Sequence, residues 1–119
     1  MNEQITRLPL IGDKAPEFKA LTTKGTINFP EDYKGKWVLF FSHPSDFTPV
    51  CTTEFISFTK YHPKFKKINC ELLGLSVDNM TSHLAWVCDI YKSTRLKIPF
   101  PIIEDKDSKI SKMYNMLDI

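Results

Sequence analysis

Apolar runs separated by polar turns predict an alternating series of strands and helices. "WVLFFS" (residues 37–42) and "CELLGLSV" (70–77) are nearly continuous apolar runs, typical of strands that are covered on both faces. We therefore expect residues 37–42 to form a central strand. "TINFP" (26–30) predicts a short strand and "IPFPII" (98–103) an extended segment, whereas the stretch before residue 26 and "EDYKGK" (31–36) are rich in turn residues.

Two segments after these strands carry apolar residues at helical spacing. In residues 52–67 the apolar positions recur on one face, and Thr52 or Thr53 is available as the N-cap. Pro63 is expected to kink or interrupt this helix. Residues 78–93 form a second predicted helix, and its shared apolar face is expected to consist of Leu84, Val87, Cys88 and Tyr91.

The predicted order of the elements is strand, helix, strand, helix, strand, helix, with the last helix over residues 108–117. This alternation is typical of α/β proteins, in which right-handed crossovers place parallel strands between layers of helices. A chain of 119 residues that is 42% hydrophobic and 25% charged has the length and composition of one globular domain. We therefore predict a single α/β domain over residues 1–119 with a mostly parallel sheet.

Charge and cysteine content argue against several partner classes. A formal net charge of +2 and a pI near 8.4 are too mild to require nucleic acid or an anionic membrane as a partner. The N-terminal stretch lacks the apolar core of a signal peptide, and no apolar stretch reaches the roughly 18 residues of a membrane span. Three cysteines without close pairing favour a reducing compartment, so we expect a cytoplasmic location and at least one reactive thiol.

The loop between the strand at 37–42 and the following helix is a candidate site. The loop passes through Pro44 and Pro49, and Cys51 lies where the helix begins. Open α/β folds place their sites at this edge of the sheet. Free backbone N–H groups and the positive end of the helix dipole would favour the thiolate of Cys51, the form that attacks electrophiles. Thr48 lies three residues earlier and can direct its hydroxyl group toward the same pocket.

The same loop resembles a known family. "PSDFTPVC" fits the Pro-x-x-x-Thr-x-x-Cys signature of the peroxiredoxins, the thiol-specific antioxidant and alkyl hydroperoxide reductase C family, and "HPSDFTPVCTTEF" is similar to their one-cysteine, peroxiredoxin-six-like group. Further stretches match that group in the same order along nearly the whole chain: "LIGDKAPEF", "GLSVD", "SHLAW", "IPFPIIEDKD" and "MLD". The chain is identified as a member of this family, which implies a thioredoxin-like fold with a central, mostly parallel sheet flanked by helices.

The resemblance implies a role for each residue of the loop. Cys51 would be the peroxidatic cysteine, oxidised to a sulfenic acid by hydrogen peroxide or an organic hydroperoxide. Thr48 would hydrogen-bond the peroxide oxygens, and Pro44 would shield the sulfur from water. His43 would line the pocket or, alternatively, cap the loop backbone. Glu54 would hold the family's arginine in place or, alternatively, stabilise the first turn of the helix.

The resemblance also implies the partners of the reaction. No cofactor is needed, and the partners are a hydroperoxide and a thiol reductant; family members commonly form homodimers or rings of dimers. A helical rise of about 1.5 Å per residue puts Cys70 roughly 20 Å from Cys51, beyond the separation of about 7 Å that a disulfide tolerates. Cys88 is expected to be a small buried hydrophobe. We therefore favour a one-cysteine cycle with an external reductant, either glutathione or a small redox protein. The alternative that stays open is an intersubunit bridge through residues absent from this sequence.

The sequence departs from the family at its C-terminal end. The family arginine that completes the pocket lies well beyond the "MLD" segment, whereas this sequence stops at Ile119, and neither Arg7 nor Arg95 matches that position. The resemblance implies further strands and another helix, so the C-terminal part of the domain is expected to be missing. Either another polypeptide supplies the rest, or this chain alone is less stable and less active.

Other function classes fit the residues less well. A dithiol reductase needs Cys-x-x-Cys, but "CTTE" has Glu54 in the second cysteine position. A zinc site needs close ligand pairs, whereas the cysteines here are scattered, and His62 and His83 are expected to be exposed. The rival that stays open is a truncated, weakly active peroxiredoxin-like chain that serves as a redox sensor or an association module.

Overall fold

The structure is a computed structural model that describes residues 9–116. Its strands are β1 (Phe18–Thr22), β2 (Gly25–Phe29), β3 (Trp37–Ser42), β4 (Cys70–Ser76) and β5 (Ile102–Glu104). Its helices are a short 3-10 helix (Glu31–Tyr33), α1 (Pro49–Lys67), α2 (Met80–Thr94) and α3 (Lys109–Met113). The predicted alternation of strand and helix from residue 37 onward is confirmed. No helix among residues 9–116 is long and apolar enough to cross a membrane.

The five strands form one mixed sheet in the order β2-β1-β5-β4-β3. β3, β4 and β5 are parallel, with Trp37 opposite Cys70 and Gly74 opposite Ile102. β1 is antiparallel to both β2 and β5, where Thr22 lies opposite Ile103. The prediction of a parallel sheet therefore holds for the strands around the candidate site, and the hairpin of β1 and β2 extends that sheet in the antiparallel sense.

The hairpin includes a strand that the sequence pattern did not reveal. Residues 18–22 were predicted to belong to a turn-rich stretch, but they form β1, which turns into β2 at Gly25. Gly25 has φ +105°, a left-handed backbone conformation that glycine adopts without steric cost. β1 alternates between partly or fully buried and exposed positions, because its Phe18, Ala20 and Thr22 face the core. Such short alternation is easily masked by the flanking lysines and threonines.

The prediction that residues 37–42 form a central strand is wrong for the described part of the chain. β3 pairs only with β4 and lies at the edge of the sheet, where Trp37 is 75% exposed. β4 is the strand that is buried on both faces. An apolar run indicates a strand, but it does not tell how many neighbours the strand has, because both edge and central strands use the same residues.

The sheet separates two apolar clusters. One, on the side of α1 and α2, contains Cys51, Phe55, Leu72, Trp86, Ile90, Ile98, Phe100 and Ile102. The other, on the side of α3, contains Ala20, Phe29, Leu73, Leu75, Ile103, Ile110 and Tyr114. A Cβ on Gly74 would meet the Phe55 ring at 3.3 Å, so glycine at this position permits α1 to lie close on β4.

Both long helices begin where side chains cap them. α1 begins at Pro49 with Thr48 as its N-cap, not at Thr52 or Thr53 as predicted, and it runs without interruption through Pro63. Proline is well tolerated at the first helical position, because that position has no intrahelical N–H partner in any case. α2 begins at Met80, close to the predicted start, and α3 is shorter than predicted. The predicted end of the last helix, Leu117, lies outside the described residues.

The buried face of α2 differs from the predicted one. His83, Trp86 and Ile90 are buried. Of the four predicted residues, Val87 packs partly buried against the core, whereas Leu84, Cys88 and Tyr91 are exposed. The prediction that His83 is exposed and Cys88 is buried is therefore wrong; His62 is half-buried. The error has a physical cause: hydropathy places histidine on the polar side of a helix, but a histidine whose two nitrogens are both hydrogen-bonded can be buried.

Candidate functional site

The site predicted from the sequence lies at the carboxyl edge of the parallel strands. After β3 the chain is held to β4 by the N–H of His43, which donates to the carbonyl of Leu75 at 2.9 Å. The following loop, residues 43–48, leads into α1, and Cys51 is the third residue of that helix. Cys51 is 2% exposed and belongs to the apolar cluster under α1 and α2. The cysteine is therefore at the predicted place in the fold, and its side chain is buried.

Thr48 contacts the backbone of Cys51. The Thr48 hydroxyl group accepts a hydrogen bond from the N–H of Cys51 at 3.4 Å and donates to the carbonyl of Ser45 at 3.3 Å. Pro49 has no N–H, so the first turn of α1 offers fewer free donors than the sequence led us to expect. The helix dipole at this end is still positive.

A hydrogen bond between helices fixes the turn that carries Cys51. The indole N–H of Trp86, on α2, donates to the hydroxyl oxygen of Thr52 at 3.0 Å. The Thr52 hydroxyl group in turn donates to the carbonyl of Thr48 at 2.8 Å. Trp86 thereby ties α2 to the residue that directly follows Cys51.

His43 lies buried between the loop and the aromatic core. Its ring centroid is 5.0 Å from that of Phe55 and 5.1 Å from that of Trp86. Its Nε2 atom is 2.7 Å from Oδ1 of Asp46, and its Nδ1 atom is buried without a hydrogen-bond partner among the described residues. His43 therefore hydrogen-bonds within its own loop and also presents an unpaired nitrogen.

Asp46 is the centre of a buried polar network. Its side chain receives hydrogen bonds from His43, from Nδ1 of His83 at 2.6 Å and from the Ser82 hydroxyl group at 2.9 Å. Its own N–H donates to the carboxylate of Asp78 at 2.6 Å. Burial by itself would raise the pKa of the Asp46 carboxyl group, but these side-chain hydrogen bonds outweigh it and hold the pKa well below its usual range. Asp46 is therefore a carboxylate at neutral pH.

His83, on α2, is part of this hydrogen-bond network. Its Nε2 atom lies 3.0 Å from the carbonyl oxygen of Ile103, so both of its nitrogens face acceptors. Burial by itself would lower the pKa of His83, but the hydrogen bond and charge of Asp46, together with the Ile103 carbonyl group, raise it. This arrangement suits an imidazolium that donates from both nitrogens.

The same network does not suit a metal ion. Ligand-type atoms of His43, Asp46 and Asp78 lie within 4.8 Å of one another. Hydrogen bonds already engage Nε2 of His43, both oxygens of Asp46 and one oxygen of Asp78, and the neighbouring His83 favours its protonated form. A cation next to an imidazolium would be repelled, so we interpret these residues as a hydrogen-bond network.

The remaining predicted residues lie further out. Pro44 is exposed and lines a cavity of about 340 Å³ at the carboxyl edge of β3 and β4, together with His43 and Ser111. Cys51 is not among the residues that line this cavity. Glu54 is exposed, and no cation among residues 9–116 forms an ion pair with it.

The one arginine among residues 9–116, Arg95, does not lie at this loop. Arg95 caps the far end of α2, where its guanidinium group is 5.7 Å from the Tyr91 ring centroid. Arg7 lies outside the described residues. The described part of the chain therefore places no guanidinium group beside the loop that precedes Cys51.

The other two cysteines lie on other elements of the fold, Cys70 on β4 and Cys88 on α2. Cys70 is buried at the amino end of β4, whereas Cys51 follows the carboxyl end of β3, so the length of β4 separates them by roughly 20 Å. Cys88 is exposed on α2, and all three cysteines are free thiols.

Comparison with known proteins assigns the family. The family model described as the AhpC/TSA family matches residues 11–119. The chain belongs to this family. Within the curated members, Peroxiredoxin 2 of Caldanaerobacter subterraneus subsp. tengcongensis is 61% identical over 110 residues, which are 92% of this chain and 49% of that protein. The family predicted from the loop signature is therefore confirmed, and the chain spans about half the length of the curated relatives that it matches.

Solved structures of peroxiredoxins share this fold. A yeast mitochondrial 1-Cys peroxiredoxin is 42% identical with a TM-score of 0.86, and the alignment covers 97% of this chain and 53% of the other. The reduced 2-Cys peroxiredoxin of Plasmodium vivax is 37% identical with a TM-score of 0.79, covering 90% and 69%. The predicted thioredoxin-like fold is confirmed. Because similar structures include one-cysteine and two-cysteine proteins, similarity alone does not choose between the two cycles.

Sequence reasoning missed the buried network although it identified the loop. Asp46 stands inside the quoted signature, and His83 stands inside "SHLAW", but nothing in their local pattern connects them. The only signal was a carboxylate placed between two prolines and next to an apolar strand. Such a residue needs a partner if it is buried.

Proposed function

We propose that this chain carries the peroxide-reducing half-reaction of a thiol-dependent peroxidase, with Cys51 as the nucleophile. The observation that carries the proposal is the position of Cys51 on the first turn of α1, behind a loop held by buried hydrogen bonds, in a chain of the AhpC/TSA family. Relatives at 50–61% identity are named peroxiredoxins.

The proposed step is a displacement on oxygen. The Cys51 thiolate attacks one oxygen of a hydroperoxide, so that a sulfur–oxygen bond forms and the oxygen–oxygen bond breaks. The leaving oxygen takes a proton and departs as water from hydrogen peroxide or as an alcohol from an organic hydroperoxide. Sulfur is oxidised to a sulfenic acid and the peroxide is reduced, so no cofactor is required.

The residues around Cys51 support this chemistry in different ways. Thr48, which already contacts the Cys51 backbone, would turn its hydroxyl group to the peroxide oxygens. Pro44 would limit water at the mouth of the loop, and His43 would form the inner wall of the pocket through its aromatic contacts. Glu54 is exposed on α1, where it is available to a cation outside residues 9–116.

An external thiol is the proposed reductant. The positions of Cys70 and Cys88 favour a one-cysteine cycle, because Cys70 is roughly 20 Å from Cys51 along β4. Cys88 is exposed on α2, whereas Cys51 is buried. The similar yeast protein is a 1-Cys peroxiredoxin resolved through glutathione and thioredoxin systems. We extend that class of reductant, glutathione or a small redox protein, to this chain. Free thiols at all three positions support a reducing compartment, and we propose the cytoplasm.

The burial of Cys51 favours a second candidate function. A side chain that is 2% exposed meets peroxide only when the loop or the start of α1 opens. If opening is rare, this chain is oxidised slowly and serves as a redox sensor or an association module instead of turning over rapidly. The two candidates differ in the rate at which Cys51 is oxidised.

Stopped-flow oxidation of the 119-residue chain by hydrogen peroxide tests the proposal. We expect Cys51→Ser to abolish rapid oxidation, while Cys88→Ser, which removes an exposed thiol, leaves the rate unchanged. Thr48→Val should slow the reaction by about tenfold to a thousandfold, as loss of one preorganised donor does elsewhere, and Thr48→Ser should restore most of the rate. Mass spectrometry of trapped sulfenic acid checks which cysteine reacts.

Two results would contradict the proposal. Rapid oxidation that survives Cys51→Ser would mean that another residue is the nucleophile. A wild-type rate equal to that of a free thiol, with no dependence on Thr48, would refute the peroxidase and favour the sensor.

A further inference from the structure

We propose that His83 is a positioning residue for the loop that precedes Cys51: it holds Asp46 from α2, and Asp46 then fixes the ring orientation and tautomer of His43. The proposal deepens the proposed function, on which its kinetic readout rests. Its spectroscopic readout, the tautomer of His43, depends only on the hydrogen-bond network and not on the proposed function.

The first step of the argument is where His83 sits. It is fully buried and touches three parts of the fold at once: its own helix α2, the loop through Asp46 and β5 through the carbonyl of Ile103. A side chain bonded on both nitrogens to two different elements has little freedom to rotate. His83 therefore defines the position of the Asp46 carboxylate relative to the sheet.

The second step is that the two carboxylate oxygens of Asp46 accept hydrogen bonds from different partners. Oδ2 accepts from His83 and from the Ser82 hydroxyl group, and this leaves Oδ1 for His43. A carboxylate can only accept, so the hydrogen of the short contact with His43 must be on the Nε2 atom of the ring. Asp78 holds the loop backbone at the same point through the N–H of Asp46.

The third step is the consequence for the other nitrogen of His43. A neutral imidazole with its hydrogen on Nε2 has a lone pair on Nδ1. That atom is buried and has no hydrogen-bond partner among the described residues. The network thus keeps an acceptor available on the buried side of His43, and His83 is the residue that makes this arrangement the stable one.

Charge favours the same arrangement. The groups that face His83 are the carboxylates of Asp46 and Asp78 and the His43 ring, whose centroid is 6.2 Å away. The charge of Asp46 favours the protonated form of His83, so the contact of 2.6 Å between Nδ1 of His83 and Oδ2 of Asp46 is a charge-assisted hydrogen bond. His83 therefore holds the Asp46 carboxylate by charge as well as by geometry.

Two substitutions at one position separate positioning from simple packing. The amide nitrogen of asparagine lies close to the position of Nδ1 in histidine, whereas that of glutamine lies close to Nε2. We expect His83→Asn to keep the donor to Asp46 and His83→Gln to lose it while keeping the donor to Ile103. Each variant removes one hydrogen bond, so the two are matched in the number of bonds lost. His62→Asn, on α1, is the control for loss of a histidine elsewhere.

Two measurements are made on the full 119-residue chain. Nitrogen-15 NMR of the imidazole rings should show the Nε2–H tautomer of His43 in the wild type and in His83→Asn, and a mixture or the other tautomer in His83→Gln. The second-order rate of Cys51 oxidation by hydrogen peroxide should stay within about threefold in His83→Asn and fall about tenfold to a hundredfold in His83→Gln, the range expected for a displaced pocket.

Several outcomes would overturn the proposal. An Nδ1–H tautomer of His43 in the wild type contradicts it directly, even if no variant folds. Equal losses in the two variants, or no loss in either, would show that the donor to Asp46 is not what matters. If the wild-type rate is only that of a free thiol, the proposed function fails, but the NMR comparison still decides whether His83 positions His43.

Discussion

At the scale of single residues, the buried carboxylate of Asp46 joins the loop of the candidate site to α2. Asp46 accepts from two histidines and a serine that come from the loop and from α2. Removing one partner from a buried charge pair is costly, because the remaining charge has lost both water and its counter-charge. We therefore expect the stability of the loop that precedes Cys51 to depend on this buried network.

Asp46→Asn tests this coupling. The substitution keeps the shape of the side chain but removes the charge, and we expect the free energy of unfolding to fall by about 3 kcal/mol near pH 5.5. Urea denaturation measures the loss, and Asp89→Asn, at an exposed position of α2, should change stability by less than about 0.5 kcal/mol. An equal loss in both variants would contradict the role of Asp46.

The loss of unfolding free energy caused by Asp46→Asn should depend on pH, and the two pKa shifts give its direction. The pKa of Asp46 is lowered from 3.8, so its contribution to stability is fully present above pH 3.8 and is lost as the pH falls through the lower folded value. The pKa of His83 is raised from 6.5, so its contribution is present below pH 6.5 and is lost as the pH rises through the higher folded value. The free energy of unfolding of the wild type should therefore exceed that of Asp46→Asn by the largest amount from pH 3.8 to 6.5, and by less at pH 9. A stability difference that grows toward pH 9 would refute this assignment.

At the scale of elements, α1 and α2 are joined by a specific bond and not by apolar packing alone. Trp86 is almost fully buried and donates its only polar hydrogen to Thr52. A buried indole N–H without an acceptor loses its hydrogen bond to water on folding and gains nothing in return. This bond lies one residue from Cys51, so the packing of the two helices also sets the position of the turn that carries Cys51.

Thr52→Val measures the bond between the helices. Valine has nearly the shape of threonine but no acceptor, so Trp86 is left unpaired, and we expect a loss of about 1–3 kcal/mol in the free energy of unfolding. Thr53→Val is the matched control, because the Thr53 hydroxyl group is exposed and donates only to the carbonyl of Pro49 within α1. Thermal or urea denaturation followed by tryptophan fluorescence distinguishes the two; similar losses would mean that the interhelical bond contributes nothing specific.

At the scale of the whole molecule, the sheet has an exposed edge beside the site. Among residues 9–116, β3 pairs on one side only, with β4, and its Trp37 and Leu39 are exposed to 75% and 39%. An apolar edge strand with unpaired backbone groups is a template for pairing with another chain. Homo-oligomerisation, which the family resemblance implied, is therefore a physical expectation for this chain.

We predict that the 119-residue chain associates with a second copy through β3. Sedimentation velocity over a range of concentrations should show a dimer that dissociates on dilution, and Leu39→Lys should weaken the association at least about tenfold, or about 1.4 kcal/mol. Tyr61→Lys, at an exposed aromatic position on α1, is the control and should leave association unchanged. A wild-type chain that stays monomeric at every concentration would refute the prediction.

The sequence by itself determined the family, the order of the elements from residue 37 onward and the position of Cys51 at a helix start. These follow from local patterns: apolar runs, helical spacing and a signature of eight residues. The family resemblance also implied the thioredoxin-like fold. The hydrophobic pattern, in contrast, misplaced the N-cap of α1, missed β1 and indicated a central position for β3. The single domain over residues 1–119 and the roles of His43, Thr48, Pro44 and Glu54 stay predictions.

Only the tertiary structure decided which polar residues are buried together. Asp46 and His83 are 37 positions apart, and their contact exists because the loop after β3 and the first turns of α2 meet at the carboxyl edge of the sheet. Burial of a polar side chain is stable only when its partner is in place, and that partner is chosen by the packing of elements. Hydropathy along the chain therefore placed His83 in solvent and Cys88 in the core, and the fold reversed both.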